Sequence, residues 1–189
     1  MRAIDQPVAV LDACVLYPAP LRDLLLNAAD FRLFTPKWTA EIQAEWTRNL
    51  LLNRPELTAA QLQRTVAAMQ VAFPEAEVHN YEPLIDSLQL PDPDDRHVLA
   101  AAIQAPAAVI VTANLKDFPP AILRAHGVEA QHPDRFMTTL LQAQPEQMRQ
   151  AFQQQVSFLR NPPKTAQEVL ETLRRVGLPT TAGELAALL

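Results

Sequence analysis

The residues with chemistry to offer are acids placed at the ends of short apolar runs. Val8-Ala9-Val10-Leu11 reads as a buried strand and stops at Asp12. Ala108-Val109-Ile110-Val111 is a stronger run of the same kind, followed by Thr112, Asn114 and Asp117. Between them Glu45 sits mid-helix, and Asp92, Asp94 and Asp95 crowd the start of an alanine-rich helix. In an open parallel sheet, ligands bind outside the carboxyl ends of the strands, so the ends after residues 11 and 111 share one edge. Carboxylates gathered there repel and raise one another's pKa. A divalent cation removes that penalty, and an all-oxygen set favours Mg2+ or Mn2+ over zinc. Such an ion polarises a phosphodiester and supplies activated water.

Each residue also has a simpler reading. Asp12 serves equally as a helix cap. Glu45 suits a solvated helix face, and Asp92, Asp94 and Asp95 suit an N-cap and first turn. Asn114 and Asp117 are natural turn residues, and Thr112 ends a strand. His97 reads as a packed or hydrogen-bonded histidine rather than a base. No single position carries the metal reading; their order and context together do.

The elements that must position these acids alternate. After the first strand, Pro18 to Ala29 has helical spacing of Leu21, Leu24, Leu25 and Ala28. Phe31-Arg32-Leu33-Phe34 alternates as a second strand, and Thr35-Pro36 reads as the cap and first residue of a helix running to about Leu52. Thr58 and Gln61 form a capping box for a helix through Phe73. Glu77-Val78-His79 suggests a short strand and Tyr81 to Leu88 a short helix. The alanine-rich helix runs to about Gln104. Pro119 to Ala125 is helical with Gly127 as its C′ residue, and Val128-Glu129-Ala130 fits an edge strand. This alternation predicts a three-layer α/β/α arrangement around a parallel sheet of about five strands. The last 50 or so residues read as helices only, with capping boxes at Thr165/Glu168 and Thr181/Glu184. The expected division is 1–138 for the α/β body and 139–189 for a helical extension.

Composition sets the outer bounds. The chain has 189 residues, 49% hydrophobic and 20% charged, which is ordinary for a soluble domain. Three glycines against 17 prolines exclude glycine-rich phosphate loops. No run approaches a membrane span, no secretory leader is visible, and one cysteine suits a reducing cytoplasm. The net charge of −5 argues against a classical electrostatic DNA binder. Through residue 144 there are 11 basic and 17 acidic residues, and beyond it 5 and 4, so the acid excess lies in the body.

Taken together, the strand ending at Asp12, the acid in the Glu41–Asn49 helix, Asp92-Pro-Asp-Asp-Arg-His-Val-Leu-Ala-Ala-Ala102 and Val109-Ile-Val-Thr-Ala-Asn-Leu-Lys-Asp-Phe118 resemble a PIN domain. The likeness is strongest to VapC-type toxins of bacterial toxin–antitoxin pairs and covers about residues 7 to 132. The tail is similar to the extra C-terminal helices of some larger VapC-like proteins. The resemblance implies a Mg2+-dependent endoribonuclease, Mn2+ substituting, that leaves 5′-phosphate and 3′-hydroxyl ends. It implies Asp12 and Asp95 as metal ligands and Glu45 as third acid. Asp117 or Asn114 takes the fourth place, and Asp92 is an extra ligand. Many members carry an Asp where this chain has Asn114; the neutral amide adds no charge, and one ion or two both remain compatible. Thr112 resembles the hydroxyl that contacts substrate or water beside the acids. Arg48, Arg96 and Lys116 are the local cations available to RNA, or salt-bridge partners of the nearby acids. An antitoxin partner is implied, and a homodimer is compatible.

Other chemistries fit less well. An aspartyl phosphatase wants Asp-x-Asp, and Asp12 is followed by Ala13-Cys14; a cysteine phosphatase wants Arg where Pro20 stands. A receiver domain has only Lys116 as a weak match. A helix rather than a glycine turn follows Asp92, against a Ca2+ loop. Four scattered histidines show no zinc spacing. The non-enzymatic alternative is a degenerate PIN-like module that binds nucleic acid or protein.

Overall fold

The two apolar runs do form the middle of a sheet. The computed structural model describes residues 6–189, so the leader reading of residues 1–5 lies outside the described residues. In order come β1 (Val8–Leu11), α1 (Ala13–Leu16), α2 (Ala19–Asp30), β2 (Thr35–Lys37), α3 (Ala40–Asn53), α4 (Ala59–Ala72) and α5 (Glu82–Ile85). They are followed by α6 (Arg96–Gln104), β3 (Val109–Val111), α7 (Pro120–Leu123), β4 (Glu129–Gln131) and α8 (Pro133–Ala143). The extension adds α9 (Pro145–Phe158), α10 (Ala166–Arg175) and α11 (Pro179–Ala187).

All strands pair in parallel in the order β2-β1-β3-β4. An isolated bridge from Trp38 to Glu77 stands where a fifth strand was expected. From β1 the chain steps one way to β2, then back across to β3 and β4. Right-handed crossovers in opposite directions put their helices on opposite faces, and the order reverses between β1 and β3. Accordingly α2 packs against β2, while α6 packs on β1 and β3. Val98 to Ala102 of α6 are all fully buried; three consecutive alanines let this helix lie close to the sheet. The crevice at the β1/β3 reversal is thus fixed by the two most apolar strands.

Four local expectations are corrected. Residues 31–34 are not a strand. Their backbone closes α2: Arg32 adopts φ 59° and Leu33 N–H donates to Ala28 O at 3.0 Å, which leaves nothing for a ladder. The strand is Thr35–Lys37 instead, so Pro36 sits in it rather than opening a helix; β2 borders the sheet and tolerates a residue without a donor. Helix α3 starts later, capped by Thr39, whose Oγ1 accepts from Ile42 N–H at 3.1 Å. The helix expected over residues 81–88 shrinks to α5.

The fourth correction concerns the extension. The Thr165/Glu168 capping box is present, but Thr181 does not cap α11. That helix begins at Pro179, and the capping is done from outside by Asp134 of α8. Its carboxylate accepts from Thr180 N–H at 3.0 Å, and from Thr181 N–H and O–H at 2.8 Å each. Burial alone would raise the Asp134 pKa; the Thr181 and Thr180 hydrogen bonds together outweigh it and hold it below its ordinary value. Asp134→Ala is expected to cost about 1–2 kcal/mol, as loss of a helix cap does, measured by urea unfolding. A change within the error of the wild-type midpoint would show that the cap is not holding α11.

Candidate metal centre

The register Leu11↔Val111 places Asp12 beside Thr112, one hundred residues away in sequence. Thr112 Oγ1 donates to Asp12 Oδ2 at 2.8 Å, Cys14 Sγ to the same oxygen at 3.2 Å, and Ala13 N–H to Oδ1 at 2.7 Å. Asp12 therefore caps α1 from the crevice end of β1, as its simpler reading expects. It is buried, and burial raises its pKa against those three hydrogen bonds, with the Glu45 charge adding to the rise. Burial first, then the Asp12 charge, pushes the Cys14 thiol up to about 12. A thiol so raised stays protonated and donates; it is not a nucleophile.

Asp92, Asp95 and Asp117 each offer a carboxylate oxygen within 4.8 Å of the others. Asp92 Oδ1 also accepts Asp94 N–H at 2.9 Å and so caps the 3-10 turn Pro93–Asp95 that leads into α6. Asp117 ends the 3-10 turn Leu115–Asp117 after β3 and is held by the Asn114 amide. Asn114 N–H in turn donates to Thr112 Oγ1 at 3.0 Å. One hydroxyl thus ties the β3 turn to Asp12. Thr112 is fully buried and its proton goes to Asp12.

Asp95 is the centre of the group. Its Oδ2 is buried with no hydrogen-bond partner among the described residues. Burial, then the charges of Asp12, Asp92, Asp117 and Glu45, lift its pKa to about 7. Four other carboxylates therefore act on Asp95. An orphaned anionic oxygen amid carboxylates, with only oxygen donors offered, suits a hard divalent cation.

Glu45 reaches this group from α3. With Glu41, Arg48, Asp92, Asp95 and Asn114 it lines a pocket of about 520 Å3. Sequence reasoning missed the frame behind Glu45. His97, 7% exposed, stands with Nδ1 3.7 Å from Glu41 Oε2 and Nε2 3.7 Å from Glu45 Oε2, an ion-pair distance rather than a hydrogen bond. Burial pulls the His97 pKa down, but contact with Glu45 and the Glu41, Glu45 and Asp12 charges outweigh it and raise it. Tyr81 O–H donates to Glu41 Oε2 at 3.2 Å. The signal was the Glu41/Glu45 spacing of one helical turn, which puts both acids on one face. The neighbouring Trp46 is fixed by Arg22, whose guanidinium lies 4.7 Å over its ring, and this anchors the turn of α3 that carries Glu45. Arg96 is half-buried, with Nε unpartnered among the described residues, and it does not line the pocket.

Almost all of this constellation falls within one match to known proteins: the PIN domain family model covers residues 8–116, more than half the chain. The chain belongs to the PIN domain family. PIN domain nucleases use divalent metals, and here Asp92, Asp95 and Asp117 are the set that would hold one. The VapC50 C-terminal domain model matches residues 133–187, the span of α8 to α11. A protein of Mycobacterium tuberculosis (strain ATCC 25618 / H37Rv) named "Putative ribonuclease VapC50" is 40% identical over 79 residues, 42% of this chain and 47% of that protein. The chain thus matches about half the length of that curated relative. No solved structure matches. No helix among the described residues is long and apolar enough to cross a membrane.

Proposed function

We propose that this PIN domain protein is a Mg2+-dependent endoribonuclease, with Mn2+ as a substitute, and the toxin of a toxin–antitoxin pair acting in the cytoplasm. The observation that carries the reading is the Asp95 oxygen left unpartnered between Asp92 and Asp117, at the point where the strand order reverses. The name of the M. tuberculosis relative, "Putative ribonuclease VapC50", supports the same substrate class. Asp92, Asp95 and Asp117 would hold the cation, with Asp12 and Glu45 facing it from β1 and α3. Bound there, a divalent ion polarises the phosphodiester and makes a nearby water a better nucleophile.

The remaining work falls to side chains. Glu45, backed by His97 at 3.7 Å, takes the proton of the attacking water on its carboxylate. Asp12 orients the group, held in turn by Thr112. Arg48, exposed at the pocket rim, receives a phosphate oxygen of the RNA; Arg96, the first residue of α6, does not line the pocket. An antitoxin would neutralise the protein by covering this acidic pocket or placing a cation in it, and a homodimer is compatible with the reading. We assign the nuclease to the α/β body and a supporting role to the helical extension. We draw the division between β4 and α8 rather than after residue 138, which keeps α8, Pro133–Ala143, in one piece.

The test is cleavage of RNA with Mg2+, with EDTA, and with Asp12→Asn. Cleavage is expected with Mg2+ only, and the variant is expected to lose about 100-fold or more in rate, in the range of one positioned catalytic group. Equal rates in all three reject the reading. RNA binding without cleavage would replace it with a binding module.

A further inference from the structure

The acidic pocket has a continuation that the cleavage chemistry does not use. Asn114 lines the pocket; the next residue, Leu115, lines a second groove of about 530 Å3. The two hollows share the turn that carries Asp117. The second groove runs between that turn, β4 and the start of α8, past Phe118, Arg124, Glu129 and Arg135. Arg135 also lines a third hollow of about 450 Å3, bounded by His132, Thr139, Gln142 and Thr180. A path thus leads from the acids, over Leu115, along two arginines, to the rim where α11 of the extension meets α8.

The charge along this path is unlike that of the chain as a whole, which is −5. Lys116 and Arg124 are exposed and make no salt bridge among the described residues. Arg135 keeps 71% of its side chain exposed and meets Glu129 only at 3.5 Å. Such a surface contact is weak and easily exchanged for a phosphate. Asp134, which lines the third hollow, is spent on the α11 cap, and Glu184 at the far end accepts from the Gln142 amide at 2.8 Å. Leu115, 43% exposed at the junction, offers an apolar face to a base. The Asp95 oxygen is buried, so the scissile bond must be brought inward by a pliable strand rather than by a duplex.

We propose that this groove carries the single-stranded RNA flank that leaves the acidic pocket. Arg124 and Arg135 contact its phosphates, Leu115 lies under a base, and Gln142 and Thr180 form the far end. The proposal rests on the ribonuclease reading of the site and gives the extension a place in substrate binding.

The experiment measures binding of a labelled oligoribonucleotide of about 12 nucleotides, within the usual span of single-strand sites, across a salt series. The full chain carrying Asp12→Asn is used, so that RNA is held and not cut. Adding Arg124→Gln and Arg135→Gln is expected to flatten the log–log salt slope by about 1.4, since each single-strand phosphate contact contributes about 0.7. The corresponding double lysine variant restores the slope. Arg174→Gln with Arg175→Gln, on α10, leaves it unchanged. In the active chain the double glutamine variant lowers kcat/KM for the oligonucleotide more than for bis(4-nitrophenyl) phosphate. An unaltered slope, equal flattening by the α10 pair, or no measurable RNA binding at low salt overturns the groove assignment. A wild-type chain that cleaves neither substrate with Mn2+ sinks the nuclease reading instead, while an arginine-dependent slope would leave the groove standing.

Discussion

Asp95→Asn is expected to remove RNA cleavage by about 1,000-fold or more and, in the same molecule, to make the metal-free fold more stable. Both effects come from one oxygen. The carboxylate sits under four others, and burial plus the Asp12, Asp92, Asp117 and Glu45 charges raise its pKa to about 7. Above that pH the folded chain must hold an ionised group with no hydrogen-bond partner on Oδ2. An amide of the same shape carries no charge and offers a donor to the neighbouring acids. The gain, discounted for the water that reaches this half-buried site, is about 1–2 kcal/mol, or roughly 2–8 °C in a chain of this size. The loss of activity follows from losing the ligand on which the other acids focus, an effect of several kcal/mol in transition-state stabilisation. Single-turnover cleavage in Mg2+ and thermal melting in EDTA at about pH 8 read the two halves. A variant cleaving within tenfold of wild type, or melting lower in EDTA, would remove Asp95 from the centre.

That trade of stability for function explains what was legible in the sequence and what was not. Strands β1 and β3 announced themselves because a strand buried on both faces must be apolar throughout. The acids at their ends stood out because an apolar run does not normally stop at a charge. Their meeting could then be argued from parallel topology alone, and the Leu11↔Val111 register realises it. What could not be read was whatever depended on two helices touching. The His97 frame exists only because α6 lays its first turn against α3; the Glu41/Glu45 spacing marks the face, but no local pattern marks what meets it. The misplaced β2 has the same origin: Leu33 and Phe34 are both fully buried, so the alternation that suggested a strand reflected a turn pressed into the core. At Thr181 a genuine local capping pattern lost to a stronger acceptor, Asp134, supplied by another helix.

The same carboxylates fix how stability responds to pH and metal, with opposite signs at two places. Asp95 has a folded pKa raised to about 7, so its contribution is fully present below the ordinary carboxylate range and is lost as pH rises through 7. Asp12, also raised, acts in the same direction. Asp134 is lowered, so the stability from its α11 cap is present above the ordinary carboxylate range and lost as pH falls through its folded value. Without metal the chain is therefore expected to melt lower at about pH 8 than at about pH 5, and to lose the extension's cap only in stronger acid. A divalent cation must reverse the first trend, because it binds the ionised acids and protons compete with it. At one hundred times its Kd, Mg2+ or Mn2+ is expected to stabilise by about 2.7 kcal/mol at about pH 8, roughly 5–10 °C, and by much less at about pH 5. Melting curves in EDTA and in MgCl2 at the two pH values decide it. A metal effect equal at both, or larger in acid, would mean that the cation is not held by the group around Asp95.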